Sequence, residues 1–499
     1  MRKATVRNRF QHILPVLDYL GPLLWVNGFI LLAPLIILGV GAGRGDNEVP
    51  ALGFIVPSAL SLSLGFVLKR KAGFRSLDSR GAMLLCASGW IAVSAIGALP
   101  FYLGLGANYL DSFFEAVSGF TTTGITMFSG LDAMPRSILF WRALSQWMGG
   151  LGILAFFLSV VSGLSSAHAL FSAESAKIFS KRPAPSLFHT LRILWTIYGV
   201  LTVIVAVLLF FEGVSLFDAI CHSLTSIATG GFSTHDLSIG YYREAGFPHY
   251  VLIEYTIVLA MLAGGLNFLI HYRVATGGIR ALWDNTETRL YWLFLAGAVL
   301  LVGAGRMFRA DAPDVADTLR SSVFHVVSVM TTTGFVTRDI GGDYFPALAK
   351  QVFLVLMVVG GCVGSTSGGF KVLRIGVLFQ MVRCQVRRVV HGPSAVNLVT
   401  IDGEQIEPEE ISRVGALFFA WMMLLAIGSA ATALLTSFGA LESASGMFSA
   451  LCNIGPCYIS VGDMMRLTPA LKIIYIVGML AGRLEILPIL LLFSRRTWR

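Results

Sequence analysis

The apolar residues of this chain come in long runs separated by short polar loops. Ten runs are long enough to cross a bilayer, at 20–42, 52–69, 82–104, 137–164, 187–212, 248–272, 288–306, 350–383, 413–436 and 470–494, since a membrane-spanning helix needs about 20 predominantly apolar residues. Between some of them lie four segments too short to cross, at 109–120, 217–228, 318–331 and 442–453. Each is compatible with a helix and runs into a turn rich in threonine and glycine or in asparagine and glycine. Apolar segments of that length suggest re-entrant or interfacial elements. The pattern predicts an all-α membrane protein.

The turns repeat. They read Phe-Thr-Thr-Thr-Gly-Ile-Thr at 120–126, Ile-Ala-Thr-Gly-Gly-Phe-Ser-Thr at 227–234, Met-Thr-Thr-Thr-Gly-Phe-Val-Thr at 330–337 and Cys-Asn-Ile-Gly-Pro at 452–456. Aligned on Gly124, Gly230, Gly334 and Gly455, they recur at intervals of 106, 104 and 121 residues. Two spans, a short helix and their loops occupy about that length. The chain therefore divides into two extra N-terminal spans (1–75) and four span–loop–span units at 76–183, 184–284, 285–400 and 401–499. The last interval is longer because of a polar stretch from Arg387 to Ser412. A single Thr-Thr-Thr-Gly would be an ordinary turn. Two identical copies, a close variant and a looser fourth on one membrane face argue for repetition with a purpose.

Composition agrees. Of 499 residues 55% are hydrophobic and 13% charged, where soluble proteins carry about 25% charged, and the mean hydropathy is +0.75. The net charge of +9 does not mark a nucleic-acid binder, because the charges sit in short loops between apolar runs. Lys69, Arg70, Lys71, Arg75 and Arg80, then Lys177, Lys181 and Arg182, then Arg273 and Arg280, then Arg383, Arg387 and Arg388, and finally Arg495, Arg496 and Arg499 all fall on one side if the spans alternate. That side is cytoplasmic by the positive-inside bias, and the four turns face outward. The first run follows Arg2, Lys3, Arg7 and Arg9, lacks an obvious cleavage site and reads as a retained helix. Six scattered cysteines without a CxxC pair point to small buried residues, not a disulfide framework or zinc site.

Backbone exposed at membrane depth must be protected by protein or line a water-filled cavity. Four such turns around one axis would form a pore. An ion leaving water needs oxygens in place of its hydration shell, and potassium filters supply rings of backbone carbonyls. Glycine tolerates the backbone geometry that aims successive carbonyls one way, and neighbouring threonines add hydroxyls. No turn contains a carboxylate, unlike the acidic rings of divalent-cation channels. The short helices aim their partially negative C-terminal ends at the turns, favouring a cation by about 0.3–1 kcal/mol each. The fourth turn, with Asn453-Ile454 in place of threonines, relaxes the symmetry.

Ser118 to Gly124, Gln146 to Gly152 (QWMGGLG), Gly264 to Phe268 (GGLNF), Gly360 to Lys371 (GGCVGSTSGGFK) and Gly482-Arg483 resemble segments of the TrkH-type potassium uptake subunits of the Trk/Ktr/HKT superfamily, and the resemblance covers nearly the whole chain. It implies a pore of four pseudo-repeats in each protomer, a homodimer in the bacterial inner membrane with both termini cytoplasmic, and a cytosolic TrkA-type nucleotide-binding regulatory subunit. It implies no cofactor beyond K+ as transported and bound ion. Filter oxygens would come from Thr122, Thr123 and Gly124; Ala228, Thr229 and Gly230; Thr332, Thr333 and Gly334; and Asn453, Ile454 and Gly455.

Gly360, Gly361, Gly364, Ser365, Thr366, Ser367, Gly368 and Gly369 interrupt the eighth run. So many glycines and hydroxyls hold a continuous apolar helix poorly. The segment reads as a movable intramembrane gate under the filter or as a kinked, tightly packed helix. Lys371 reads as its latch, pairing with a carboxylate or carbonyls, or as an interfacial lysine. Arg483 lies inside the last run, where an arginine costs about 2.5–3.5 kcal/mol on insertion scales and usually faces protein. It reads as a positive restriction in the pore path, an ion-pair member or a snorkelling side chain. His222 and His325 in the short helices read as packed histidines before proton relays. Glu115, Asp111, Asp236 and Asp339 could attract cations outside or cap local backbone. No HExxH, Walker loop or nucleophile–base pair occurs, so an enzyme is not expected. The competing transport reading is a proton- or sodium-coupled symporter that alternates access, since broken helices occur there too.

Overall fold

The computed structural model describes residues 13–41, 48–71, 77–152, 187–309, 314–391 and 399–494, and these are mostly helical. Six stretches are long and apolar enough to cross a membrane: Leu14–Gly39, Leu52–Lys69, Ser79–Leu105, His189–Phe211, Thr286–Arg309 and Pro408–Leu435. Their outer faces leave large apolar side chains bare, with Phe211 80% and Leu434 83% exposed. Lipid is the solvent that covers such a surface without cost. The first two spans cross closely, and a side chain on Gly21 would meet the Gly65 carbonyl at 2.9 Å. Ser58 and Ser61 donate across the same crossing to the Gly28 and Leu24 carbonyls.

Three of the remaining runs are broken among the described residues: the break in 350–383 falls at the glycine-rich segment, as the sequence leads one to expect, and those in 248–272 and 470–494 correct the sequence reading. The helix that follows each Thr/Gly or Asn/Gly turn stops after 13 to 16 residues: Arg136–Gly150, Tyr250–Gly265, Ala347–Val359 and Pro469–Arg483. After Gly265 the chain bends by 104° into Phe268–Ala275, which starts because the Asn267 side chain accepts from Leu269 N. After Arg483, Glu485 and Ile486 take positive φ of 59° and 67° before Leu487–Phe493 begins. After Val359 the chain stays non-helical to Lys371, two residues beyond the glycine-rich segment, and Val372–His391 follows. The second half of the run at 137–164 lies outside the described residues, as do the boundaries at 75–76 and 183–184 and seven of the basic residues used to orient the chain: Arg75, Lys177, Lys181, Arg182, Arg495, Arg496 and Arg499.

The four short helices are Tyr109–Phe120, Leu216–Ile227, Val315–Met330 and Ala440–Cys452. Their starts share one local logic. Asn108, Ser215 and Asp314 accept a backbone N–H of the first turn, and at the fourth Glu442 accepts from Gly439 N. An acidic residue stands three positions after each cap (Asp111, Asp218, Asp317 and Glu442), where it complements the helix dipole. The polar stretch Arg387 to Ser412 also holds structure that the sequence reading does not anticipate. Thr400–Ile401 and Glu404–Gln405 pair antiparallel around Asp402-Gly403, the Asp-Gly signature of a two-residue hairpin. The Asp402 carboxylate accepts from Thr286 N and Oγ1, both at 2.7 Å, and so pins the start of Thr286–Arg309.

Candidate functional site

Each turn places two residues two apart at positive φ: Thr122 and Gly124, Thr229 and Gly231, Thr332 and Gly334, Asn453 and Gly455. The left-handed region costs a non-glycine residue about 1–2 kcal/mol, so four such residues at matching positions are held there by their surroundings. Part of the hold is one repeated bond. Thr123 N donates to Ser118 O, Gly230 N to Thr225 O, Thr333 N to Ser328 O and Ile454 N to Ser449 O, at 2.9, 2.9, 2.9 and 3.1 Å. This is the six-to-one closure of a Schellman-type helix end.

The backbone register corrects the alignment of the second turn. Gly231, not Gly230, stands in the position of Gly124, Gly334 and Gly455, and Gly230 stands in that of Thr123, Thr333 and Ile454. The matching triad is Thr229, Gly230 and Gly231. Ala228 belongs one residue earlier, as the cap of its helix beside Thr121 and Thr331. In this register the turns close a ring. A Cβ on Gly124 would strike the Gly230 carbonyl, one on Gly231 that of Thr333, and one on Gly334 that of Ile454; one on Gly455 would lie 2.9 Å from that of Thr123. Each glycine thus admits the carbonyl preceding the next turn's glycine, and the fourth contact returns to the first turn.

Directly against this ring lies the non-helical segment 360–371. Thr366 Oγ1 donates to Ile227 O at 2.9 Å and accepts from Thr229 Oγ1 at 3.1 Å. Gly368 N donates to Thr332 Oγ1 at 2.6 Å, and Gly369 N to Cys452 O at 3.1 Å. Gly360, Gly364 and Gly369 sit at positive φ of 68°, 73° and 75°, and a side chain on Gly361 would hit Ser367. Gly364 O accepts from Phe268 N, while Cys362 N and Thr366 N donate to Gly265 and Gly264 carbonyls. Ser365 Oγ bonds Cys362 O and Ser367 Oγ at 2.6 Å each. Lys371 donates to Ser367 O and, at 3.4 Å, Ser367 Oγ.

Arg483 joins the first turn to the interrupting segment. Its guanidinium donates to Thr122 Oγ1 at 3.2 Å, Thr366 O at 2.8 Å, and the Gly149 and Gly150 carbonyls at 2.5 Å each. It meets the first turn, the interrupting segment and the negative end of helix Arg136–Gly150 together, an arrangement favourable to a cation. Glu485 pairs instead with Arg374 at 2.5 Å. The snorkelling alternative fails, because the guanidinium is occupied inside the protein.

The four carboxylates near the turns do local work. Glu115 pairs with Arg142 at 2.8 Å, both buried, and Asp111 with Lys472 at 2.5 Å. Asp236 accepts from Gly130 and Leu131 N, and Asp339 from Gly341 N. His222 bonds Ser233 Oγ and Tyr242, and His325 contacts Ser321 O and the backbone near Arg338; both are packed and bonded.

Beyond the second turn, His235 stacks on Tyr241 with ring centroids 3.5 Å apart. Its Nδ1 lies 2.5 Å from Asp132, and its Nε2 lies 3.7 Å from Asp218; the rings of His222 and Tyr242 lie about 6 Å away. Burial opposes charging of His235, but the Asp218 and Asp132 carboxylates outweigh it and raise its pKa. Burial likewise opposes ionisation of Asp132, yet His235 and the Asp236 N–H hold its carboxyl below the usual range. The His235 contribution is thus full below its unfolded value of about 6.5 and lost as pH rises through the raised one, while that of Asp132 is lost only as pH falls into the acid range. Hydrogen exchange across 233–241, corrected for intrinsic rates, should show protection that weakens from pH 6 to pH 9 in the wild type. In His235→Gln it should be lower at pH 6 and flat across that interval. A wild-type profile that is equally flat would remove His235 as the titrating clasp.

Sequence reasoning passes over Arg142, Lys472, Arg374 and Glu287, whose carboxylate accepts from Val363 N at 2.6 Å and anchors the interrupting segment. Intramembrane charges are a signal for the first three, whereas Glu287 stands one residue before the run at 288–306, and the partners of all four lie far away in sequence. Gln146 stands out in the sequence only within a motif. Its Nε2 donates to Gly230 O at 2.6 Å and its Oε1 accepts from Phe232 N at 3.0 Å, bracing the second turn.

The model of the TrkH family, described as cation transport proteins, matches residues 50–498. Trk system potassium uptake protein TrkH of Salmonella typhimurium is 34% identical over 92% of this chain and 93% of its own length. The protein of that name from Halomonas elongata is 34% identical over 97% and 99%. The crystal structure of the potassium transporter TrkH from Vibrio parahaemolyticus superposes with a TM-score of 0.85 at 30% identity, covering 98% of this chain and all of that one. With its ring of four turns and a match across nearly its whole length, this chain belongs to the TrkH family of cation transport proteins.

Proposed function

We propose that this chain takes up potassium through a channel-like pore whose selectivity filter is the ring of four turns, entered from the outside by four re-entrant loops of four pseudo-repeats. The observation that carries this reading is the closed succession of glycine-to-carbonyl contacts. Four turns whose glycines and carbonyls meet in a closed order suit the ring of backbone oxygens that dehydrating a potassium ion requires. The filter oxygens belong to Thr122, Thr123, Gly124, Thr229, Gly230, Gly231, Thr332, Thr333, Gly334, Asn453, Ile454 and Gly455. The sites are unequal, because Gln146 occupies one lone pair of the Gly230 oxygen and the fourth turn lacks threonine.

The gate is the segment 360–371, held shut by Arg483 and Lys371. Its support is that Thr366, Gly368, Gly369 and Arg483 between them bond to all four turns. Opening requires the Thr366, Gly368 and Arg483 bonds to exchange for water or other partners. The membrane potential supplies about 2.3 kcal/mol per charge per 100 mV, so no coupling ion is needed. The sequence resemblance further supports a homodimer in the bacterial inner membrane with cytoplasmic termini, gated by a cytosolic TrkA-type nucleotide-binding subunit.

Reversal potentials in liposomes test the reading. They should follow the potassium gradient, respond more weakly to sodium and ignore an imposed pH gradient. A potential that ignores potassium would sink it. One that moves with pH or sodium in fixed stoichiometry would favour the alternating-access symporter.

A further inference from the structure

Nine residues before each ring glycine stand Glu115, His222, His325 and Gly446, and three residues after it stand Met127, Thr234, Thr337 and Tyr458. At these levels every short helix holds back the outer limb of its own turn. Met127 N donates to Glu115 Oε2 at 2.8 Å, Ser233 Oγ bonds His222 Nε2 at 2.9 Å, Thr337 N reaches His325 Nε2 at 3.4 Å, and Tyr458 N donates to Ser445 Oγ at 2.9 Å. Only the first of these brackets is a carboxylate. It also accepts from Thr126 Oγ1 at 3.0 and 3.1 Å, and it alone is joined to a buried guanidinium. From helix Arg136–Gly150, Arg142 donates to Glu115 at 2.8 Å, Thr126 Oγ1 at 3.2 Å and the Ser233 carbonyl at 3.0 Å. The guanidinium also lies 4.1 Å from the centroid of the Phe232 ring. One charge pair therefore clamps the outer limbs of two adjacent turns.

We infer that Glu115 and Arg142 are positioning residues that set the potassium-over-sodium discrimination of the ring, by fixing the spacing of the first and second turns. Neither touches the ion path. They act through the backbone at Met127 and Ser233, and thereby on Gly124 and Gly231 three and two residues earlier. A spacing held rigid favours the larger ion, whereas turns free to close inward accept the smaller one. This rests on the filter reading above.

The test is the bi-ionic potassium/sodium reversal potential of the full chain in liposomes, for Glu115→Gln and for the double variant Glu115→Gln/Arg142→Gln. The glutamine in the single variant still accepts from Met127 N but leaves Arg142 charged and unpaired, which buried sites tolerate poorly. The double variant removes both charges together and so keeps the measurement available if the single one misfolds. We expect the potassium-to-sodium permeability ratio to fall by about fivefold, the scale of one ordinary hydrogen bond felt through the backbone, with potassium conduction retained. Wild-type permeability ratios in either folded variant, or failure of both to fold, would assign the pair to scaffold support and overturn the inference. A wild type that shows no potassium-dependent potential would instead defeat the filter reading, so the two failures are distinguishable.

Discussion

Replacing Arg483 with alanine is expected to raise potassium flux by about tenfold. At ~8 Å and an effective dielectric near 20, the guanidinium repels a potassium ion by about 2 kcal/mol, a ceiling of ~30-fold that water and counter-ions reduce. The geometry adds a second contribution. Arg483 fastens Thr366 O to Thr122 Oγ1 and to the end of helix Arg136–Gly150, so its loss also loosens the segment packed against the ring, the gate proposed above. Arg483→Lys keeps the charge with fewer donors and should fall between wild type and alanine. Rubidium uptake into proteoliposomes at equal protein content measures this. Unchanged or lower flux in an alanine variant that inserts normally would remove Arg483 as the restriction. The Arg374–Glu485 pair two residues away remains intact in both variants, so local unfolding is not the expected route.

The second large effect separates two adjacent glycines. Gly231→Ala should lower flux by about 100-fold, because it adds left-handed strain of about 1–2 kcal/mol to a collision with the Thr333 carbonyl. That carbonyl is backbone of the neighbouring turn and cannot swing aside. Gly230→Ala should keep flux within about tenfold of wild type, the scale of a lost hydrogen bond. Its φ lies outside the left-handed region, and its Cβ would press on the Gln146 amide, the end of a side chain with other rotamers. The same uptake assay decides between them. The reverse order of effects would restore the Thr229-Gly230 alignment suggested by the sequence.

Much of this architecture is legible in the amino-acid sequence. Length and hydropathy predict the spans at 52–69, 187–212, 288–306 and 413–436, because lipid solvation acts on each run independently of the others. The short helices are placed within a few residues, since capping and apolar length are local properties. The glycine-rich interruption at 360–369 and the intramembrane Arg483 are also visible, as residues whose presence in a span requires compensation by protein.

Other features depend on neighbours remote in sequence. The one-residue register of the second turn is hidden because Ala228-Thr229-Gly230-Gly231 offers two glycines. The choice is made by which of them must face the Thr333 carbonyl from a turn about one hundred residues away. The breaks after Gly265 and Arg483 sit in apolar sequence that would otherwise continue as helix. They occur where backbone groups find partners on other segments, as the Gly264 and Gly265 carbonyls do at Thr366 and Cys362. By itself, then, the sequence determined a multi-span membrane protein with four recurring turns, because burial in lipid and helix capping are local. Only the tertiary structure decided which glycines close the ring, what lies beneath it and which charges brace it, because those outcomes depend on contacts between distant segments.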